Sequence, residues 1–330
     1  MVSSSPPGLA LPELTEWMDS ELPGLREGAL VAQPLSGGFS NLTYRVSDGV
    51  SDWVVRRPPL GHVLPSAHDM AREYRIISAL APTDVPVATP LAFCADEDVI
   101  GARFYVMSYV EGQVVDEHNL PASTTTAALT ALYDRMVDAL ILIHKLDPEQ
   151  VGLGDLGRPR GFLERQVKRW HTQWEASQTR SLADVDLAVD LLLADLPNRS
   201  VTTIVHGDYR IGNVLFSPSG DAVAAVVDWE MATLGDPLAD IGLLVAYHEQ
   251  AIDCRVPPTA HLISRYAKGL AVDVSEIGWF VGLANFKLAV ISEGIHHRHL
   301  AGQTVGEGFD RIGETVPSLL ASAVSALQRK

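Results

Sequence analysis

The stretch that decides the fold runs from Ile204 to Asp240 and reads IVHGDYRIGNVLFSPSGDAVAAVVDWEMATLGDPLAD. Within it, Val214-Leu215-Phe216 and Ala222–Val227 are apolar and strand-like, and Ser217-Pro218-Ser219-Gly220-Asp221 between them is dense in turn formers. An antiparallel hairpin centred near Gly220 pairs residues whose numbers sum to about 441, which sets Asn213 opposite Asp228. An amide oxygen and a carboxylate at adjacent strand ends make a hard-oxygen site that suits magnesium. Asp208 lies five residues before Asn213, across a loop, and is expected to face the same point. The plain alternative is a hairpin with solvated acidic ends.

Outward from this patch, the chain changes character once. From about 29 to 111 it is strand-like, with short runs at Ala29–Leu35, Asn41–Ser47 and Asp52–Arg57 and a hairpin signal at Asp48-Gly49. Ser66–Leu80 carries helical spacing, and strands are expected at Pro90–Cys94 and Ala102–Val110. After Gly112 the pattern is mainly helical, over 124–146, 161–178 and 182–193, then over 237–249, 259–270, 275–299 and 307–328. A short helix is expected over 9–22. The fold class is therefore α+β: residues 1–111 form a small antiparallel sheet with one helix, a hinge falls near 108–112, and residues 112–330 form a helical part carrying the hairpin. A ligand site is expected where the two parts meet.

Bulk properties narrow the function. The chain has 330 residues and a net charge of −16, with no run of Lys or Arg to track a phosphate backbone, which argues against a nucleic-acid partner. Cys94 and Cys254, the only cysteines, lie outside metal-ligand spacing and read as free thiols of a reducing compartment. The Ser/Pro-rich start has neither a basic nor an apolar signal-peptide region, and no stretch is long and apolar enough for a membrane span, so a cytoplasmic protein is expected.

His206-Gly207-Asp208, followed after four residues by Asn213, resembles the catalytic loop of the aminoglycoside phosphotransferase and kinase-like superfamily. Asp228-Trp229-Glu230 stands where protein kinases carry Asp-Phe-Gly. The resemblance implies a two-lobed kinase-like fold and ATP- and magnesium-dependent transfer to a hydroxyl. Asp208 would orient or deprotonate the attacking hydroxyl, while Asn213 and Asp228 would hold magnesium on the ATP phosphates. Such transfer demands alignment and neutralisation of oxygen charge more than covalent chemistry. It further implies that His206 braces the loop, that Asp236 caps the helix after Pro237, and that Asp240 bonds to the loop backbone.

The same resemblance organises the N-terminal part. Ser36, Gly37, Gly38 and Ser40, in Leu35–Asn41, stand where a nucleotide-covering loop belongs, since glycines let backbone approach phosphate. Alone this is also an ordinary hairpin turn. Arg56, at the end of the third strand, stands where kinases place the lysine that contacts the α/β-phosphates. This departure is similar to the subgroup of kinase-like domains attached to some acyl-CoA dehydrogenases, and an arginine fork can grip phosphate bidentately. Arg57 is the neighbouring candidate. Glu73 would pair with Arg56; otherwise it lies on a solvated helix face. Ser108 and Val110 would offer backbone groups to adenine, with Met107 bordering that pocket, although an edge strand without ligand reads the same way.

His296, His297 and His299 read as charge compensation at a helix end rather than a metal site. Asp236 follows Asp228 by only eight positions, which leaves little platform for a protein substrate. The implied activity is a small-molecule kinase. The implied acceptor is a hydroxyacyl-CoA or other metabolic alcohol, with an aminoglycoside as the alternative. A second class is a nucleotide-binding regulator that has lost catalysis.

Overall fold

Alternating apolar residues and two side-chain helix caps, Asp69 and Thr125, shape the first half of the chain. The computed structural model describes residues 5–35, 41–60, 68–116, 120–251, 253–303 and 309–329. Helix α1 (Leu11–Glu21) is followed by β1 (Val31–Pro34), β2 (Leu42–Ser47), β3 (Asp52–Arg57), α2 (Met70–Leu80), β4 (Pro90–Cys94), β5 (Phe104–Ser108) and β6 (Gln113–Val114). The first five strands form one antiparallel sheet in the order β1-β2-β3-β5-β4. The Asp48-Gly49 turn between β2 and β3 forms as expected: Gly49 takes φ +90°, and the Asp48 carboxylate accepts the Val50 and Ser51 N–H groups at 2.9 and 2.7 Å. Helix α2 begins at Met70, later than the periodicity suggests, because the Asp69 side chain accepts the Arg72 N–H and caps it there.

The alternation along β3 decides where its two arginines go. Trp53 and Val55 join Leu14, Met18, Val46, Phe104 and Val106 in a core under α1. Residues of the other parity face the side that α2 covers. Arg56 therefore meets α2, while Arg57 turns to the α1 side and spends its guanidinium on backbone carbonyls of Gly8 and Ile100.

The chain continues through α3 (Thr126–Lys145), α4 (Phe162–Ser177), α5 (Ala183–Ala194) and β7 (Thr203–Val205), then the hairpin β8 (Val214–Phe216) and β9 (Val223–Val226). It ends with β10 (Thr233–Gly235), α6 (Leu238–His248), α7 (Thr259–Leu270), α8 (Ile277–Leu300) and α9 (Val316–Gln328). Strand β10 pairs with β7. Helix α8 is buried on all sides from Trp279 to Val290, with α4, α5, α6 and α9 against it.

Contacts divide the chain into two units, Met1–Val114 with Val214–Met231, and Val115–Asn213 with Ala232–Lys330. The hairpin, read from sequence as part of residues 112–330, groups with the first unit. Strand β6 pairs with β8, and the Val226 N–H donates to the Pro86 carbonyl at 2.8 Å. Its register also differs from the expected one. Val214 pairs with Val226, and an irregularity after Leu215 shifts the next pair to Phe216 and Val223. The ladder stops at Val214, so neither Asn213 nor Asp228 is a strand residue; Asn213 closes a 3-10 turn, Ile211–Asn213. Among the described residues, no helix is long and apolar enough to cross a membrane.

Candidate active site

In the second unit, the loop after β7 is held by buried groups behind it. Asp240, on the first turn of α6 and wholly buried, accepts the His206 N–H at 2.6 Å and the Gly207 N–H at 2.8 Å. His144 on α3 adds Nε2 at 3.2 Å, and its Nδ1 meets the Tyr266 hydroxyl at 2.6 Å. Burial alone would raise the Asp240 pKa, but His144, His206 and the Gly207 N–H outweigh it and hold the carboxyl below its ordinary value. His206 is buried and its Nδ1 accepts the Asp208 N–H at 3.2 Å, which is a bracing contact. Asp236 accepts the Leu238 N–H at 2.9 Å at the start of α6 and pairs with Arg199 at 2.7 Å.

Asp208 itself is closely surrounded. Asn213 Nδ2 donates to the Asp208 carbonyl at 2.8 Å and to its Oδ2 at 2.9 Å, and Arg210 Nε approaches Oδ2 at 3.4 Å. The Tyr247 hydroxyl donates to Oδ1 at 3.2 Å. With both amide hydrogens used inside the loop, Asn213 has its oxygen to offer, a hard donor that fits magnesium. Lys287 donates to the Gly207 carbonyl and lies 5.5 Å from the centre of the Trp170 ring. Burial lowers its pKa, with Asp208 and Asp240 opposing.

In the first unit, Arg56 joins two carboxylates. Its Nε reaches Glu73 at 3.0 Å and its Nη2 reaches Asp228 at 2.5 Å, with Nη1 donating to Thr43 Oγ1 at 3.3 Å. Glu73 is only 2% exposed, so the solvated-face alternative fails. Burial would lower the Arg56 pKa, but Glu73, Tyr105 and Asp228 together raise it, so the guanidinium stays charged. Asp228 takes φ +69°, a left-handed conformation that aspartate tolerates better than most residues. It stands two residues past the end of β9, and Trp229 fixes the turn by burying its ring and donating Nε1–H to the Val226 carbonyl at 3.0 Å. Glu230 accepts from Asn41 Nδ2 at 3.0 Å and sits 3.6 Å from His68.

The remaining expectations divide. Met107 and Ser108 lie at the end of β5, and Val110 follows it. The Ser108 N–H donates to the Thr89 carbonyl at 2.8 Å and its hydroxyl accepts the Thr89 N–H at 2.9 Å, so its carbonyl is the backbone group left for a base edge. Ser36, Gly37, Gly38 and Ser40 lie outside the described residues, as do Ser66 and Ala67. Among the described residues no cluster of three His, Cys, Asp or Glu forms a metal site, His296, His297 and His299 included. Sequence reasoning missed Tyr247, Lys287 and His144. A lone lysine inside the apolar run Trp279–Val290 was a usable signal for Lys287; nothing local marks Tyr247.

A backbone-clamped Asp/Asn loop lies in one unit, a buried Arg–Glu pair beside a turn aspartate lies in the other, and the fold that carries them is kinase-like. The chain belongs to the phosphotransferase enzyme family, whose model matches residues 31–274. A provisionally named aminoglycoside phosphotransferase from Ralstonia eutropha is 31% identical and superposes with a TM-score of 0.84, covering 96% of this chain and 98% of that one. The mouse acyl-CoA dehydrogenase family member 11 is 32% identical over 97% of this chain, and the chicken protein is 32% identical over 93%. This chain spans 43% and 42% of those two relatives. A thermostable mutant of the aminoglycoside phosphotransferase APH(4)-Ia, solved with ADP and hygromycin B, is 17% identical with a TM-score of 0.67 and shares the fold.

Proposed function

We propose that this protein transfers the γ-phosphoryl group of ATP to a hydroxyl of a small molecule, a hydroxyacyl-CoA or other metabolic alcohol. The observation that carries this is the Asp208 loop, clamped through its backbone by Asp240 and through its carboxylate by Asn213. Family membership and the ADP complex of APH(4)-Ia support ATP as donor. Asp208 orients the acceptor hydroxyl and receives its proton as the oxygen attacks phosphorus. Asn213 and Asp228 supply the hard oxygens that would hold magnesium, which when bound neutralises charge on the phosphate oxygens. Arg56, set by Glu73, contacts the phosphates; Ser36, Gly37, Gly38 and Ser40 cover them; Met107, Ser108 and Val110 receive the adenine. The acyl-CoA dehydrogenase relatives favour a hydroxyacyl thioester acceptor, and the aminoglycoside phosphotransferases favour an aminoglycoside.

The test is a mass-spectrometric screen of alcohols, hydroxyacyl thioesters and aminoglycosides with Mg-ATP. Asp208→Ala is expected to spare nucleotide binding and remove transfer, and Asp228→Ala to abolish metal-dependent nucleotide binding. Transfer at the wild-type rate by Asp208→Ala refutes the assignment. A second reading, a nucleotide-binding regulator without catalysis, draws on the Arg56–Asp228 ion pair, which engages a proposed metal ligand. It predicts residual ATP turnover equal in wild type and Asp208→Ala.

A further inference from the structure

We propose that Tyr247 keeps water off Asp208, and so directs the phosphoryl group to the acceptor alcohol rather than to hydrolysis. This rests on the reading of Asp208 as the group that receives the acceptor's proton. A carboxylate offers about four lone-pair positions, two on each oxygen. Oδ2 of Asp208 has two donors, Asn213 Nδ2 at 2.9 Å and Arg210 Nε at 3.4 Å. Oδ1 has one, the Tyr247 hydroxyl at 3.2 Å. One position is left, which is what a single acceptor hydroxyl requires. Without the phenol a second position opens on the same oxygen, and a water can take it.

Orientation of Asp208 does not need this contact. Asn213 and Arg210 already hold Oδ2, and His206 holds the Asp208 N–H. The phenol is also a poor base in its own right. Burial, then the neighbouring carboxylate, pushes its titration far above the ordinary tyrosine value, so it keeps the proton that it donates to Oδ1. Its position is set by the residue that follows. His248 is buried, its Nε2 meets the Pro257 carbonyl at 2.6 Å, and its ring meets the edge of Tyr133 with centroids 4.7 Å apart. The Arg210 guanidinium, which approaches Asp208 Oδ2, lies 5.9 Å from the centre of the Tyr247 ring.

The chemistry being suppressed is ordinary. A water oxygen forms a bond to the γ-phosphorus, the bond from that phosphorus to the bridging oxygen of ADP breaks, and the water proton goes to Asp208. In the productive reaction the alcohol oxygen takes the place of water and the rest is unchanged. Both routes use the same base, so selection between them lies in which oxygen can reach it.

Tyr247→Phe removes only the hydroxyl. With Mg-ATP and no added acceptor, ADP formation is expected to rise on the order of tenfold over wild type, the rate equivalent of one hydrogen bond. In Tyr247→Phe/Asp208→Asn it is expected to return to the level of Asp208→Asn alone. A Tyr247→Phe rate equal to or below wild type overturns the proposal, and a fall is what a positioning role predicts. A gain that survives Asp208→Asn, with wild type and Asp208→Asn hydrolysing alike, overturns the assignment of Asp208 and this proposal with it. If the Phe variant does not fold, Tyr247→Leu also lacks the hydroxyl and carries the same expected sign.

Discussion

Replacing Asp240 by asparagine tests the support beneath the Asp208 loop more directly than replacing the loop itself. The carboxylate is wholly buried and gives one oxygen to each of two consecutive N–H groups, His206 at 2.6 Å and Gly207 at 2.8 Å. An amide keeps one acceptor oxygen and turns an NH2 toward the other N–H. One hydrogen bond to a charged acceptor is lost, worth about 1.5–3 kcal/mol, and one buried N–H is left unsatisfied, at about 1–3 kcal/mol. His144 can adjust by changing tautomer, with the Tyr266 hydroxyl reversing, so that side of the network adds little. Asp240→Asn is therefore expected to cost about 3 kcal/mol in urea unfolding followed by tryptophan fluorescence. The gap should narrow in acid. A carboxyl held below its unfolded value contributes stability that is fully present above about pH 4 and is lost as pH falls through the folded pKa. A loss under about 1 kcal/mol at neutral pH, or a gap that widens in acid, refutes the argument that this charge holds the loop.

Other buried charges give further expectations. Arg56→Met strands Glu73, 2% exposed, and should destabilise the protein by about 3 kcal/mol, with Arg56→Met/Glu73→Leu recovering most of that in a double-mutant cycle. Glu293, in the C-terminal third of α8, accepts the Thr179 N–H at 2.8 Å, the Thr179 hydroxyl at 2.6 Å and Arg180 at 3.0 Å; Glu293→Gln should lower stability by about 2 kcal/mol, read by thermal unfolding. Chelation of magnesium is expected to abolish the thermal shift produced by ATP, as Asp228→Ala should in the presence of the metal.

Most of the fold was legible because local signals agreed with it. The Asp48-Gly49 hairpin and the helices of the C-terminal half were readable from residue type and spacing, while the Asp240 contact to the loop was implied by the family resemblance. Register was not. A one-residue shift after Leu215 follows from pairing irregularity, which apolar runs such as Ala222–Val227 do not encode, since both faces are apolar. The grouping of β8 and β9 with the first unit depends on β6, a two-residue strand too short to carry a pattern. Tyr247 escaped for a similar reason. It is one aromatic residue in an apolar helix, and only the path of α6 brings its hydroxyl to Asp208.

Arg56 is the residue at which sequence similarity and geometry have to be weighed together. A lysine in this place would meet Glu73 and Asp228 with a single nitrogen. Arginine divides the task, giving Nε to Glu73, Nη2 to Asp228 and Nη1 to Thr43. Its five N–H donors exceed those three contacts, so under the proposed reading two would be left for a phosphate oxygen without surrendering Glu73. The parity of β3 also removes the ambiguity with Arg57, which points to the opposite face and is bound to main-chain carbonyls. The substitution therefore preserves the charge and the helix contact that phosphoryl transfer requires, and it does not in itself favour loss of catalysis. An Arg56→Lys variant should keep nucleotide binding within about tenfold while weakening the bond to one of the two carboxylates. If it instead binds Mg-ATP more tightly and turns it over faster, the arginine is a restraint on Asp228 rather than a phosphate contact, and the regulator reading gains.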